Sequence, residues 1–547
     1  MKILKFPIFV LAILLITAAI AACSEGSPSV TTEGSGGSTT SGTVSTSGTV
    51  STSANVTTAN VTTSAPEVFF PITDEYIITR SDSSASYITD ICKNLKQTLV
   101  SEFSLSLSVR TDWLKKGEEA PKYEIIIGKT NREKSEEIYA GFSENEWSVI
   151  TDDSKIYISG STTRALTDAV DYFLNTYVYG KEKLEMKPNT SYSDKVKLMN
   201  VSFKDATLLP VNYGGGYPRL YKLKDGTFLR GTDGFVSIST NGGKTFGKAY
   251  DYRTNYKIEG VDGKTYALSC ANSAFIELDD GTILVAYRAT GHIAADQSVF
   301  CTKILVSQSK DGGKTWTAHS EICDYRDMTG AFNGVWEPHF GFLNGVLTCF
   351  YANDSHTVLT PPYQHIEYMQ YIDGEWTNRT IVSDGIKHKS RDGMPVWQQL
   401  SNGKYVLAIE GWYPGTAELC IQLLYSDDGI KWSDPVTVYR GKSGYAGAPY
   451  VVELPTGQLA ISFQCKDSTD GGEHFTKDVM LLIVSDGTPI EYLTAENFSA
   501  PENVFNTPNG HDALWNCLYT DGEYLYASTS GTATKRIALA DLYEVTE

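Results

Sequence analysis

Two glutamates stand in surroundings that penalise a charge. Glu337 lies between Trp336 and Pro338 in VWEPHFGF, and Glu410 lies between Ile409 and Gly411 at the end of KYVLAIE. A carboxylate among aromatic and aliphatic neighbours is costly unless it is paired. Brought together, two such carboxylates form a hydrolytic acid/base or nucleophile pair. Held apart, each is an ion-paired packing residue. Other polar residues sit beside similar strand-like runs: Arg219 in YPRLYKLKDG, Arg288 at the end of ILVAYR with His292 after it, Arg391 and Asp392 in SRDGMP, Tyr445 in GYAGAP, and His511 in NGHDALW. An arginine beside a carboxylate keeps it ionised. Trp336, Trp412 and Tyr413 offer flat apolar faces of the kind that stack on sugars. Each of these residues also has a structural reading, and taken singly the histidines read as surface or packing groups.

The elements that must position these residues are short and numerous. Six runs share one form, a β-type stretch turned by Asp-Gly, Asn-Gly or Thr-Gly: LKDGTFL, LDDGTILVAYR, LNGVLTCFY, LSNGKYVLAIE, LPTGQLAISFQ and TDGEYLYAS. Such turns favour tight hairpins. They recur roughly every 60 residues, the length of a four-stranded propeller blade. A second repeat, S-x-D-x-G-x-T-W, appears as STNGGKTF (239–246), SKDGGKTW (309–316) and, with Asp427, Gly429 and Trp432 matched, YSDDGIKW (425–432). These are Asp-boxes, whose aspartates cap turns and are not catalysts. The expected fold is mainly β: a six-bladed, sialidase-like β-propeller over 196–547, preceded by a small α/β domain over 67–195. In a propeller the inner strands converge on one axis, so a site collects one or two residues per blade.

The start of the chain reads as an address. Lys2 and Lys5 precede an apolar run that ends in Ile20-Ala21-Ala22-Cys23, which resembles a bacterial lipoprotein box. Cleavage and lipidation at Cys23 are expected, with 1–23 as signal peptide and 24–66, rich in Ser, Thr and Gly, as a flexible tether. The expected location is outside the cytoplasm, with membrane contact only through that anchor. A net charge of −19 argues against nucleic acid as a partner. The other eight cysteines show no metal-ligand spacing and read as buried thiols. No metal or cofactor is expected; the expected partner is an oligo- or polysaccharide, and the chain is expected to be a monomer.

Two resemblances sharpen this. YEIIIGKTNRE and WSVITDDSKIYISGSTTRALTDAVDYFL resemble the small, non-catalytic α/β domain that precedes the barrel of hexosaminidases and α-glucuronidases. The ordered set YPRL, an Asp-box, ANSAFIELDDGTILVAYR, VWEP, SRDGMP, a strand ending in Glu, and AGAPYVVELPTGQLAISFQ is similar to glycoside hydrolase family 93. That resemblance implies an exo-acting, retaining α-L-arabinanase. Its two catalytic glutamates fall on Glu337, assigned as nucleophile, and Glu410, assigned as acid/base, with the reverse left open. The remaining polar and aromatic residues named above, Arg219, Arg288, His292, Trp336, Arg391, Asp392, Trp412, Tyr445 and His511, are then substrate-binding candidates. Exo-sialidases share the Asp-boxes but need three arginines and a Tyr–Glu pair; Asn353 and Asp354 stand where one of those arginines is expected. A glycan-binding lipoprotein without activity is the third reading.

Overall fold

The turn-punctuated strands assemble into six antiparallel four-stranded sheets. The first begins with Arg219–Lys222, and the inner strands of the next five are Ser269–Glu277, Val335–Leu343, Gly393–Gln399, Ala446–Glu453 and Cys517–Thr520. The computed structural model describes residues 68–209, 215–356, 363–467, 477–505, 513–530 and 534–543. The calls on Cys23, the tether and His511 lie outside the described residues. In blades 1 to 5 the strands pair in chain order. Each of the six hairpins read from the sequence joins a first strand to a second; Gly281 (φ +81°) and Gly403 (φ +85°) show the left-handed backbone these turns demand. Blade 6 is different. Its fourth strand is Thr207–Leu209, from the start of the propeller segment, with Leu209 opposite Thr534. This pairing closes the ring, so the fold is a six-bladed β-propeller.

Second strands such as Val346–Asn353 and Tyr405–Trp412 are buried along almost their whole length. They lie inside a blade that packs on neighbours through both faces, so they read as near-continuous apolar runs. The core is shared between blades; one cluster joins Val396, Ala408 and Ile421 of blade 4 to Val451, Ile461 and Leu481 of blade 5.

The box turns show why their aspartates are unavailable for chemistry. Asp311 Oδ1 accepts from the peptide N–H groups of Lys314 and Thr315, and Oδ2 accepts from Thr315 Oγ1. Desolvation opposes ionisation there, but these donors draw the pKa down to about 2. Trp316 Nε1 donates back to the Gly313 carbonyl at 2.9 Å. In the third copy the capping carboxylate is Asp428, not Asp427. Asp428 Oδ1 accepts from the N–H groups of Ile430 and Lys431 and from Ser426 Oγ. The spacing there is one residue shorter than in the second copy, which shifts the cap.

Ahead of the propeller lies a six-stranded sheet in the order Ser108–Thr111, Ile77–Arg80, Glu124–Ile127, Lys155–Gly160, Glu146–Thr151, Ser191–Lys195. Its first four strands run parallel and the last two pair antiparallel. The helix Ser86–Phe103 buries Ile88, Cys92, Leu95 and Leu99. The helix Thr163–Phe173 starts at a side-chain cap, where Thr162 Oγ1 accepts from Ala165 N–H at 3.1 Å. A further helix, Glu133–Gly141, buries only Ser135 and Ile138, too weak an apolar stripe to read from sequence. This layer packs on the propeller: Arg164 donates to the Gly487 carbonyl, and the Met199 N–H donates to Gln458 Oε1. All eight described cysteines are free and seven are buried.

One buried ionic group ties the α/β sheet together. Glu124 is fully buried, pairs with Arg132 at 2.8 Å and Lys155 at 2.5 Å, and accepts from Thr79 Oγ1. Burial pushes its pKa up, but the two cations carry it below the ordinary carboxylate range. Removing one partner of such a cluster strands the others, at a cost of about 3–5 kcal/mol. Glu124→Ala is therefore expected to lower stability by that amount in a denaturant titration; a change below about 1 kcal/mol would show the cluster to be dispensable.

Candidate active site

Six non-glycine residues, one per blade, adopt left-handed backbone at the same height: Tyr217 (φ +49°), Asn272 (+57°), Glu337 (+49°), Met394 (+52°), Ala448 (+50°) and Trp515 (+54°). In blades 2 to 5 each falls inside a register shift between inner and second strand. Bulges of this kind re-aim side chains and end pairing. Here they turn the inner-strand ends to form a floor across the axis. Tyr217 and Trp515 stack at 4.4 Å, and Ala271, Met394 and Ala448 pack with them. Two residues further along in blades 1 to 5, Arg219, Ala274, His339, Val396 and Tyr450 line an axial cavity of about 320 Å³ below that floor.

Glu337 belongs to the floor, with its side chain 12% exposed. Arg288 Nη1 lies 3.8 Å from its Oε1, and Oε2 makes no well-formed hydrogen bond among the described residues, with the Met394 N–H the backbone donor that acts on this carboxyl. Burial raises the pKa of Glu337 to about 7; Arg288 and Arg391 oppose the rise and Glu410 adds to it. Arg288 itself lies over the rings of Tyr217 and Trp336.

Glu410 reaches the same place from the second strand of blade 4, and two glycines make room for it. A Cβ on Gly393, its cross-strand partner, would sit 3.2 Å from Oε1, and one on Gly447 of the next blade 2.7 Å from Oε2. Oε1 accepts from Arg391 Nη1 at 3.1 Å, and Oε2 accepts from the Ala448 N–H at 2.8 Å. Burial disfavours the charge on Arg391, but Glu410, Glu337 and Asp354 together raise its pKa. Arg391 thus stands in the field of three carboxylates.

The structure brings Arg288, Trp336 and Arg391 to this mouth with the two glutamates. Trp412 stands two residues beyond Glu410 on the same face of its strand, edge-on to Tyr363. Tyr445 is half-buried, pairs its hydroxyl with Gln464, and lies in the field of Glu410. His292 sits further out on the rim, its Nδ1 3.0 Å from the Gln297 carbonyl. Two expectations are corrected. Arg219 lies in the axial cavity below the floor, its guanidinium donating to the carbonyls of Pro218 and Asn516 and covering the Tyr450 ring. Asp392 has no exposed surface; Ser383 and Ser390 hydroxyls hold its carboxylate, so it fixes the Arg391 loop from behind.

Sequence reasoning missed two acids. Asp354 accepts from Trp336 Nε1 at 3.0 Å and from the Gly334 N–H, which sets the indole plane. Asp233 accepts from the Gly216 N–H through Oδ2, leaves Oδ1 buried without a partner among the described residues, and lies in the field of Arg288. Burial raises the pKa of both. Both sit in turns, where one Asp looks like any other. Unpartnered buried polar atoms gather here: Glu337 Oε2, Arg288 Nε, Asp233 Oδ1 and the side-chain amides of Asn272 and Gln364. Native interiors leave few such atoms unpaired, so this mouth presents polar groups that water or a ligand can satisfy.

No protein-family model and no curated protein matches the sequence. Among solved structures, the chain is similar to an α-L-arabinofuranosidase of Fusarium graminearum in complex with an iminosugar inhibitor (19% identity over 63% of this chain and 99% of that one, TM-score 0.44). It is also similar to an α-L-arabinanase of Penicillium chrysogenum complexed with arabinobiose (20% identity, 63% and 99%, TM-score 0.44). A sialidase of Streptococcus pneumoniae is a third neighbour (11% identity, 66% and 76%, TM-score 0.41). At these identities and scores the likeness carries no functional weight; the propeller is read from the six sheets themselves.

The raised pKa of Glu337 is directly measurable. Because the folded value lies above the ordinary glutamate value of about 4.3, the stability this group contributes is fully present below that pH. It is lost as pH rises through about 7. Carboxyl 13C NMR on Glu-labelled protein is expected to show one resonance titrating near neutrality, absent from Glu337→Gln. If every carboxyl in the wild type titrates below pH 5, the buried-acid description of Glu337 fails.

Proposed function

We propose that this chain is an exo-acting, retaining glycoside hydrolase that releases arabinobiose, or a related unit, from α-1,5-linked L-arabinan. Display outside the cytoplasm through a lipid on Cys23 is part of the same reading. The observation that carries it is the contrast between two glutamates in one mouth: Glu337 is largely enclosed, with one oxygen that makes no hydrogen bond among the described residues and a pKa raised to about 7, and Glu410 is ion-paired with Arg391 and fixed by the Ala448 N–H. Two carboxyls with environments that differ in this way divide into a proton donor and a nucleophile. The division favours Glu337 as acid/base and Glu410 as nucleophile, the reverse of the assignment first drawn from the motifs.

In the first step Glu410 attacks the anomeric carbon while the Glu337 proton passes to the departing glycosidic oxygen. This leaves a glycosyl ester on Glu410 and a carboxylate on Glu337. In the second step Glu337 takes a proton from water, the water oxygen bonds to the anomeric carbon, and the ester bond breaks. Arg391, facing both carboxyls, balances charge as it moves between them. Arg288 Nε and the amides of Asn272 and Gln364 are free, among the described residues, to meet sugar hydroxyls. The arabinan specificity rests on the motif resemblance. An exo-sialidase reading is weaker here, since Arg219 is spent on backbone carbonyls and Arg288 and Arg391 each face a glutamate.

Incubation with linear arabinan, followed by 1H NMR of the newly released sugar, is expected to show arabinobiose with retained configuration. Turnover of a sialyl substrate alone would replace this reading with the sialidase one, and binding without turnover with the binding-protein one. Glu410→Gln is expected to lose about three orders of magnitude or more on all substrates. Glu337→Gln should lose about 10²–10⁴-fold on arabinan and far less on an aryl glycoside whose leaving group needs no proton. An inverted pattern would restore Glu337 as nucleophile.

A methyl group on Gly447 would strike Glu410 Oε2, whereas one on Gly393 has 0.5 Å more room. Gly447→Ala is therefore expected to cut kcat on arabinan by at least tenfold, more than Gly393→Ala does. Equal kcat in wild type and Gly447→Ala would mean that Glu410 does not need its observed position.

A further inference from the structure

The floor of the mouth is closed by Tyr217, Trp515, Met394 and Ala448, so a polymer that places one end there must leave across the rim. The rim beside Glu337 is aromatic. Phe300 faces Trp336 at 6.2 Å with its ring inclined by 30°, and Phe332 stands edge-on to both Phe300 (5.4 Å) and His292 (5.5 Å). These rings form a continuous path from the indole held by Asp354 to open solvent. Phe332, the last of them, is 51% exposed.

Phe332 is not a stray surface residue. Its backbone is left-handed (φ +58°), a conformation rare for a bulky side chain. The loop that imposes it is anchored at both ends. Asp327, fully buried, accepts from Thr329 N–H and Oγ1 through Oδ1 and from Asn333 N–H through Oδ2. Gly334 donates to Asp354, the same carboxylate that orients Trp336. The loop tip and the indole therefore share one anchor, and an aromatic ring is presented to water at a fixed place. Keeping a large apolar ring exposed and strained is unfavourable unless something covers it.

We propose that Phe332, with Phe300 and His292, forms an outer platform that binds the leaving-group side of the glycan chain, beyond the glycosidic oxygen that Glu337 protonates. The occupant is a further sugar unit of the same polymer, stacked through its apolar face. This inference rests on the hydrolase reading for its direction, because it places the departing chain on the Glu337 side of the bond. It makes Phe332 a determinant of chain-length preference, acting through KM.

The test compares arabinotriose with arabino-octaose. Phe332→Ala is expected to lower kcat/KM for the octaose about tenfold more than for the triose, with the difference in KM, and Phe332→Trp is expected to recover most of it. Exposure of the side chain makes misfolding a poor explanation, and an unchanged melting temperature would exclude it. Equal effects on the two substrates, or wild-type kinetics indifferent to chain length, would overturn the platform while leaving the hydrolase reading intact. If wild type turns over neither sugar, calorimetric titration of octaose into Glu410→Gln decides separately. Binding that weakens about tenfold on adding Phe332→Ala supports the platform although the hydrolase reading has failed; binding unaffected by Phe332→Ala, or none, overturns the platform too.

Discussion

The inner strand of each blade has to stop being a strand at one height. Six left-handed residues enforce this, and for all six a side chain makes that backbone unfavourable by about 1–2 kcal/mol. The cost is tolerated because Tyr217, Met394, Ala448 and Trp515 pack on one another around the axis, where neighbours hold them in place. The mouth depends on that constraint. Without the bulges, strand alternation would carry every inner side chain straight down the channel, and Glu337 would line the same cavity as Arg219 and His339.

The electrostatics follow from position. Glu337 is part of the strained floor, so its carboxyl is enclosed by rings and reached by its arginines only at a distance. Glu410 comes in from a regular second strand, through a gap left by Gly393 and Gly447, and meets a cation and a peptide donor at close range. Two residues of one type thus acquire different chemistry from the geometry of delivery. Asp233 and Asp354 add to the field from turns above the floor. Asp354 also orients Trp336, so the charge balance and the shape of the apolar wall are set by shared groups.

Much of the fold was legible because its signals are local. The Asp-Gly, Asn-Gly and Thr-Gly turns mark six hairpins whatever the rest of the chain does, and Thr162 caps its helix from within four residues. The two glutamates stood out because an acid between apolar neighbours is rare in a strand. Direction was not legible. Arg219 and Asp392 sit in motifs as polar as that of Arg391, yet one falls below the floor and the other behind the loop, and only the bulges and the packing decide that. The one-residue shift from Asp427 to Asp428 has the same origin: the box is defined by which oxygen meets which N–H, and a shortened turn moves it. Asp233, Asp354 and the clearance at Gly447 belong to turns and to contacts between blades, which no single stretch of sequence encodes.

The strand that completes blade 6 precedes blade 1 in the chain. On the ribosome, Thr207–Leu209 emerges before blade 1 and waits for Thr534–Ala538, which is made only after the first five blades. During that interval the seam stays open, with strand edges unpaired and exposed to other chains. The ring is therefore assembled by a contact of very long sequence separation, which slows the last step of folding. The mouth needs all six blades around the axis, so it comes into being only when the two ends of the propeller meet.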